Sequence, residues 1–108
     1  IDSFSVVKNH LGVDIQTAAN CPVLSAYQGV VLFAGYNPQE GYIVQIIHPN
    51  QYISVYKGAQ MVLKKSGDIV KTGEVIATMG EDTPNCMLHF ELWSGMQALN
   101  PTQYIVLE

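Results

Sequence analysis

Met87-Leu88-His89-Phe90-Glu91-Leu92-Trp93 reads as a β-strand, and its alternation sets the reading of the whole chain. Leu88, Phe90 and Leu92 share one parity and are apolar. Met87, His89, Glu91 and Trp93 share the other parity and include the polar groups. Successive side chains of a strand turn to opposite faces, so one face here packs into a core and the other can meet solvent or a site.

The flanking sequence repeats that pattern in short pieces. Phe4-Ser5-Val6-Val7 is short and β-prone, and Val13 to Gln16 alternates. Pro22 opens a strand expected over Val23 to Tyr27, at a position where a missing amide is tolerated. Gly29 to Gly35 is a continuous apolar run bounded by glycines, as expected of a strand buried on both faces. Tyr42 to Ile47 and Gln51 to Tyr56 flank His48-Pro49-Asn50 and predict a hairpin. Ala59 to Leu63 is the most helix-like window but is too short to stand alone. Gly67, Gly73 and Gly80 punctuate two turns and a strand exit. Ser94-Gly95 is a turn, and Asn100-Pro101 starts one helical turn over Thr102 to Tyr104. Many short strands with Gly, Pro and Asn between them predict an all-β fold, a barrel or sandwich.

The chain has 108 residues, enough for one domain with one core. It begins at Ile1, which reads as a fragment or processed chain. No apolar run approaches the roughly 20 residues of a membrane helix. Charged residues make up 13%, against about 25% in average proteins. The net charge is -4, and no arginine is present. Five lysines without a basic stripe argue against nucleic-acid binding, which needs clustered cations. Cys21 and Cys86 have no metal-binding spacing. They read as small buried hydrophobes, or as a disulfide pair if the chain is exported.

The polar parity of the opening strand has a counterpart upstream. In an extended His10-Leu11-Gly12-Val13-Asp14, His10 and Asp14 point the same way. With His89 they offer two nitrogens and one carboxylate, a three-ligand zinc set with an open position.

These segments together resemble a lysostaphin/LytM-type zinc endopeptidase domain. The resemblance is carried by His10 to Asp14, Pro22-Val23, Gly29-Val30-Val31, Gly67 to Gly73, Leu88 to Leu92 and Asn100-Pro101. It runs from about Val7 to Val106, so residues 1–108 are expected to form a single LytM-like domain of a longer envelope protein. The family's fold is a compact antiparallel β-barrel/sandwich hybrid, and its enzymes cut peptide cross-bridges of bacterial peptidoglycan. The resemblance implies that His10, Asp14 and His89 hold zinc. It also implies that two catalytic histidines are replaced, by Met87 and Gly58. A thioether accepts no proton at neutral pH, and glycine offers no side chain. A general base contributes about 10²–10⁴ in rate and an oxyanion donor about 10²–10³. Catalytic residues are therefore expected to be absent.

That pattern resembles the degenerate LytM domains of the EnvC/NlpD kind, which bind and activate cell-wall amidases. The implied function is a non-catalytic periplasmic or extracellular domain that binds an amidase or peptidoglycan. That group usually lacks the zinc ligands, whereas this chain keeps all three. A zinc endopeptidase acting on peptidoglycan is therefore the alternative. Tyr56, Glu91 and Met87 are expected to line the cleft. Glu91 has the parity to support or join the ligands, although a cross-strand polar partner is the simpler reading. Tyr56 could equally be a strand residue with a polar handle, and Met87 a space-filler over the site. His48 reads as a solvated turn residue, and Lys57, Lys64, Lys65 and Lys71 as a solvated face. Lys71 lacks the flanking residues of a lipoyl or biotinyl attachment site, which argues against a carrier domain.

Overall fold

The computed structural model describes residues 4–6, 12–80, 86–94 and 97–99. Among the described residues, eleven strands follow one another: β1 (Phe4–Val6), β2 (Gly12–Gln16), β3 (Pro22–Leu24), β4 (Gly29–Asn37), β5 (Gly41–Ile47), β6 (Tyr52–Ala59), β7 (Met61–Val62), β8 (Ile69–Val70), β9 (Val75–Thr78), β10 (Met87–Ser94) and β11 (Gln97–Leu99). A 3-10 turn, Pro49–Gln51, joins β5 to β6. The fold is all-β and antiparallel. One eight-stranded sheet runs β1-β2-β10-β6-β5-β4-β8, with β11 added to β10. A three-stranded sheet, β3-β9-β7, completes it.

The opening strand lies inside the large sheet, with β2 on one side and β6 on the other. Its register explains the alternation. Phe90 is opposite Val13 on β2 and Tyr56 on β6, and Tyr56 is in turn opposite Val44 on β5. All four are buried, and Tyr56 meets Phe90 edge-on. This row removes apolar surface from water across four adjacent strands, the main favourable contribution to folding. Val23, Val31, Ile46, Val70, Ile76, Ala77 and Met79 extend the same core. The next row along the strand is polar: His89 lies opposite Asp14 on β2 and Lys57 on β6.

Several segments depart from the sequence reading. The Gly29 to Gly35 run lies in β4, near the sheet's edge rather than inside it, because β8 covers only Gly29 and Val30. Val31 is buried, but Val30, Leu32 and Phe33 are exposed. A register shift between Val31 and Phe33 breaks the alternation there. The helix-like window Ala59 to Leu63 contains no helix, since Ala59 ends β6 and β7 pairs with β9. β3 stops at Leu24, short of Tyr27.

His48 is not a solvated turn residue. It is buried, with Nδ1 2.8 Å from the Gln28 carbonyl and Nε2 2.6 Å from Ser54 Oγ. A carbonyl only accepts, so Nδ1 carries the proton. Ser54 Oγ is 2.8 Å from the Tyr56 hydroxyl, which accepts the Ala26 amide at 2.9 Å. A turn histidine thus anchors a buried polar chain linking the β3–β4 connection to β6. Residues 81–85, 95 and 96, and the turn expected after Asn100 lie outside the described residues.

Candidate functional site

The polar row of β2, β10 and β6 assembles one connected set of side chains. His89 Nδ1 is 2.7 Å from Asp14 Oδ1, and its Nε2 is 2.8 Å from Glu91 Oε2. Trp93 Nε1 donates to Glu91 Oε1 at 3.0 Å. Lys57 Nζ lies 3.2 Å from Glu91 Oε2 and 3.0 Å from Glu40 Oε2. Asp14 and His89 meet because they are direct cross-strand partners. His89, Glu91 and Trp93 meet because they share a parity. Gly12, also on β2, makes the approach possible. A Cβ there would stand 2.7 Å from the Phe90 carbonyl and 2.9 Å from both Glu91 Cγ and His89 Cε1.

The electrostatics follow from this crowding. Burial pushes the Glu91 carboxyl up, but hydrogen bonds from Trp93 and His89 and the attraction of Lys57 outweigh it and hold it below the usual value. Burial works against the Lys57 ammonium, yet Glu40 and Glu91 together raise it above its usual value. Lys57 is therefore an ion-pair bridge rather than part of a solvated lysine face, and Lys64 pairs with Glu74.

His89 is held between two carboxylates. A neutral imidazole has one N–H and can donate to only one of them. A carboxylate on the far nitrogen is the usual companion of a metal-binding imidazole, and Glu91 stands there. Asp14 and His89 therefore suit a metal by position and by donor type. Among the described residues, no group of three His, Cys, Asp or Glu side chains is placed to hold one. His10, the third expected ligand, lies outside the described residues.

Beside this row, a cleft of about 350 Å³ is lined by Tyr36, Tyr42, Gly58, Gln60, Met79 and Met87, among others. It holds both positions where the resemblance expects catalytic histidines. Gly58 is the extra residue of a bulge on β6, since Tyr42 pairs with Ala59 and Ile43 with Lys57. Its φ is +100°, and a Cβ would lie 2.9 Å from the Met87 carbonyl. Met87 is 42% exposed, so it flanks an open cleft rather than plugging the site. Tyr56 does not line the cleft. It sits on the core face, opposite to His89, and burial raises its hydroxyl pKa above the usual value. Trp93, Lys57 and Glu40 were not anticipated at the site. Parity already placed Trp93 beside Glu91, but Lys57 depends on strand register and Glu40 on the turn between β4 and β5.

Residues 8–101 match Peptidase family M23, and the chain belongs to that family. It is a LytM-type domain that resembles the NlpD activators. It is 34% identical over 97 residues to "Uncharacterized lipoprotein YgeR" of Escherichia coli, covering 87% of this chain and 38% of that protein. It is 33% identical over 97 residues to "Murein hydrolase activator NlpD" of Escherichia coli, covering 87% and 25%. It is 39% identical over 74 residues to "Peptidoglycan DD-endopeptidase ShyC" of Vibrio cholerae, covering 68% and 17%. The chain thus spans less than two-fifths of these relatives. Among solved structures, the catalytic domain of lysostaphin from Staphylococcus simulans superposes with a TM-score of 0.75 at 26% identity, over 88% of this chain and 77% of that one. A zinc containing peptidase from Vibrio cholerae gives 0.76 at 26% identity, over 91% and 34%. Among the described residues, no helix is long and apolar enough to cross a membrane.

Proposed function

We propose that this chain is a non-catalytic LytM-type domain of a longer protein of the bacterial cell envelope, periplasmic or extracellular, and that it binds a cell-wall amidase through the cleft beside β10. Gly58 carries this reading. Its positive φ and the Met87 carbonyl beside it leave no room for a side chain where the resemblance expects a histidine. Met87, at the other such position, accepts no proton. The cleft therefore lacks a base and an oxyanion donor at these two positions. Its tyrosines and methionines suit an adaptable protein contact. The names of the NlpD and YgeR relatives support an activator and an envelope location.

The test measures release of labelled fragments from purified sacculi. The domain alone should release none, and an amidase with the domain should release more than the amidase alone. Zinc-dependent release by the domain alone, abolished by His89→Ala, would overturn the proposal. Binding to sacculi without any effect on the amidase would point to peptidoglycan as the ligand instead.

A second reading rests on the Asp14–His89 contact. With His10 as third ligand these residues would hold zinc, which supplies a Lewis acid and an acidified water when bound. That makes a zinc endopeptidase the alternative. The name of the ShyC relative points the same way.

A further inference from the structure

Among the described residues, the large sheet is left open along part of β4. β8 covers only Gly29 and Val30. Val31 bonds the adjoining turn, its amide to the Asp68 carbonyl and its carbonyl to the Gly67 amide. The Ser66 hydroxyl then donates to the Leu32 carbonyl at 3.2 Å, and the cover ends there. From Phe33 to Asn37 the strand pairs with β5 alone.

Register decides which groups of this stretch face out. The His48 amide donates to the Tyr52 carbonyl at the start of β6. Residues of an antiparallel strand bond their two neighbours alternately, so Ile46 and Val44 also bond β6, while Gln45 and Ile43 bond β4. Their partners on β4 are Phe33 and Gly35. Ala34 and Tyr36 therefore turn their N–H and C=O groups away from the sheet. Edge strands are ordinarily guarded by a charge, a proline or a bulge. Gly29 to Asn37 contains no charge and no proline. The register shift between Val31 and Phe33 precedes the open stretch, and pairing is regular after it. Leu32, Phe33 and Tyr36 are exposed. The Phe33 ring lies over Gly35, where a Cβ would stand 2.8 Å from Phe33 Cζ.

The geometry points to a second copy of this chain as the occupant, its β4 antiparallel to this β4 about a twofold axis at Gly35. That pairing sets Ala34 opposite the partner's Tyr36, and Tyr36 opposite the partner's Ala34. Each pair exchanges two hydrogen bonds, about four in all, which satisfies the outward groups of both residues. Only this register uses both residues of each copy, so the open edge is complementary to itself. At the axis two glycines meet without side chains to obstruct them, and the two Phe33 rings flank them. The contact is the same patch on both copies, so assembly closes at a dimer. The axis is normal to the sheet, and both clefts, each lined by Tyr36, open on one face.

The test is sedimentation velocity of the purified chain from about 1 µM to about 1 mM, with amide hydrogen exchange read by NMR at both ends of that range. A monomer–dimer equilibrium is expected within it. Exchange at Ala34 and Tyr36 should slow as the dimer fills, while Phe33 and Gly35, already bonded to β5, should not change. Ala34→Pro removes an outward donor and no bond to β5, and should weaken dimerisation by about tenfold or more. Phe33→Lys keeps every backbone group, sets like charges beside the axis, and should weaken it too. Wild-type exchange decides the matter if Ala34→Pro does not fold. A monomer throughout, a dimer that both variants leave intact, growth beyond two copies, or concentration-dependent protection on another strand would overturn the inference. None of these outcomes bears on what the cleft binds.

Discussion

The point where Gly58 lacks a Cβ lies 2.9 Å from the carbonyl oxygen of Met87. The two positions at which the resemblance expects catalytic histidines thus lie against each other. Gly58→Ala is expected to lower the unfolding free energy by about 1–3 kcal/mol, from left-handed strain plus that contact. Urea denaturation measures it, and an unchanged midpoint would contradict the geometry. Met87→His, at an exposed position, should fold normally. Adding Gly58→His should destabilise the protein rather than create an enzyme.

Glu91 gives the site a pH signature. Its folded-state pKa lies below the ordinary value of 4.5. The stability it contributes is present above that value and is lost as pH falls through the lower folded-state value. Wild type should exceed Glu91→Gln in stability at neutral pH, and the gap should narrow on acidification. Denaturant midpoints measured from neutral pH down through the acid range test this. A gap that stays constant in acid would mean the carboxylate is not the source.

His48 offers a prediction away from the site. His48→Leu removes the partner of the Gln28 carbonyl and of Ser54. An unsatisfied buried polar group costs about 1–3 kcal/mol, so the variant should lose about that much. The loss should appear in thermal melts, and a neutral result would place His48 in solvent after all.

Metal content decides the fate of the ligand set. Protein stripped with a chelator and reloaded should take up zinc near one per chain. His89→Ala and Asp14→Asn should abolish that uptake while leaving the circular dichroism spectrum unchanged. Wild type that binds no zinc would remove both the ligand proposal and the endopeptidase alternative.

Local pattern made much of the fold legible. The parity of Met87 to Trp93 separated the buried Leu88, Phe90 and Leu92 from the row holding His89 and Glu91, because side-chain direction in a strand depends only on position. The β5–β6 hairpin and the turns at Gly67 and Gly73 were readable for the same reason, since both glycines have positive φ. The Gly29 to Gly35 run misled because apolar composition does not say where a strand sits in its sheet. β4 lies near an edge, and Val30, Leu32 and Phe33 of this run are exposed. His48 misled because a Pro-Asn neighbourhood describes the turn and not what packs over it.

The sequence by itself determined the all-β class and the polar parity that holds His89 and Glu91, which follow from residue type and short-range spacing, whereas Met87 and Gly58 were singled out by the resemblance to LytM-type enzymes. Register was decided only by the tertiary structure. It set Asp14 and Lys57 on either side of His89, moved Tyr56 into the core, and placed Gly58 on a bulge against Met87. Antiparallel pairing brings together residues far apart in the chain, and a shift of one position would turn each of them to the opposite face.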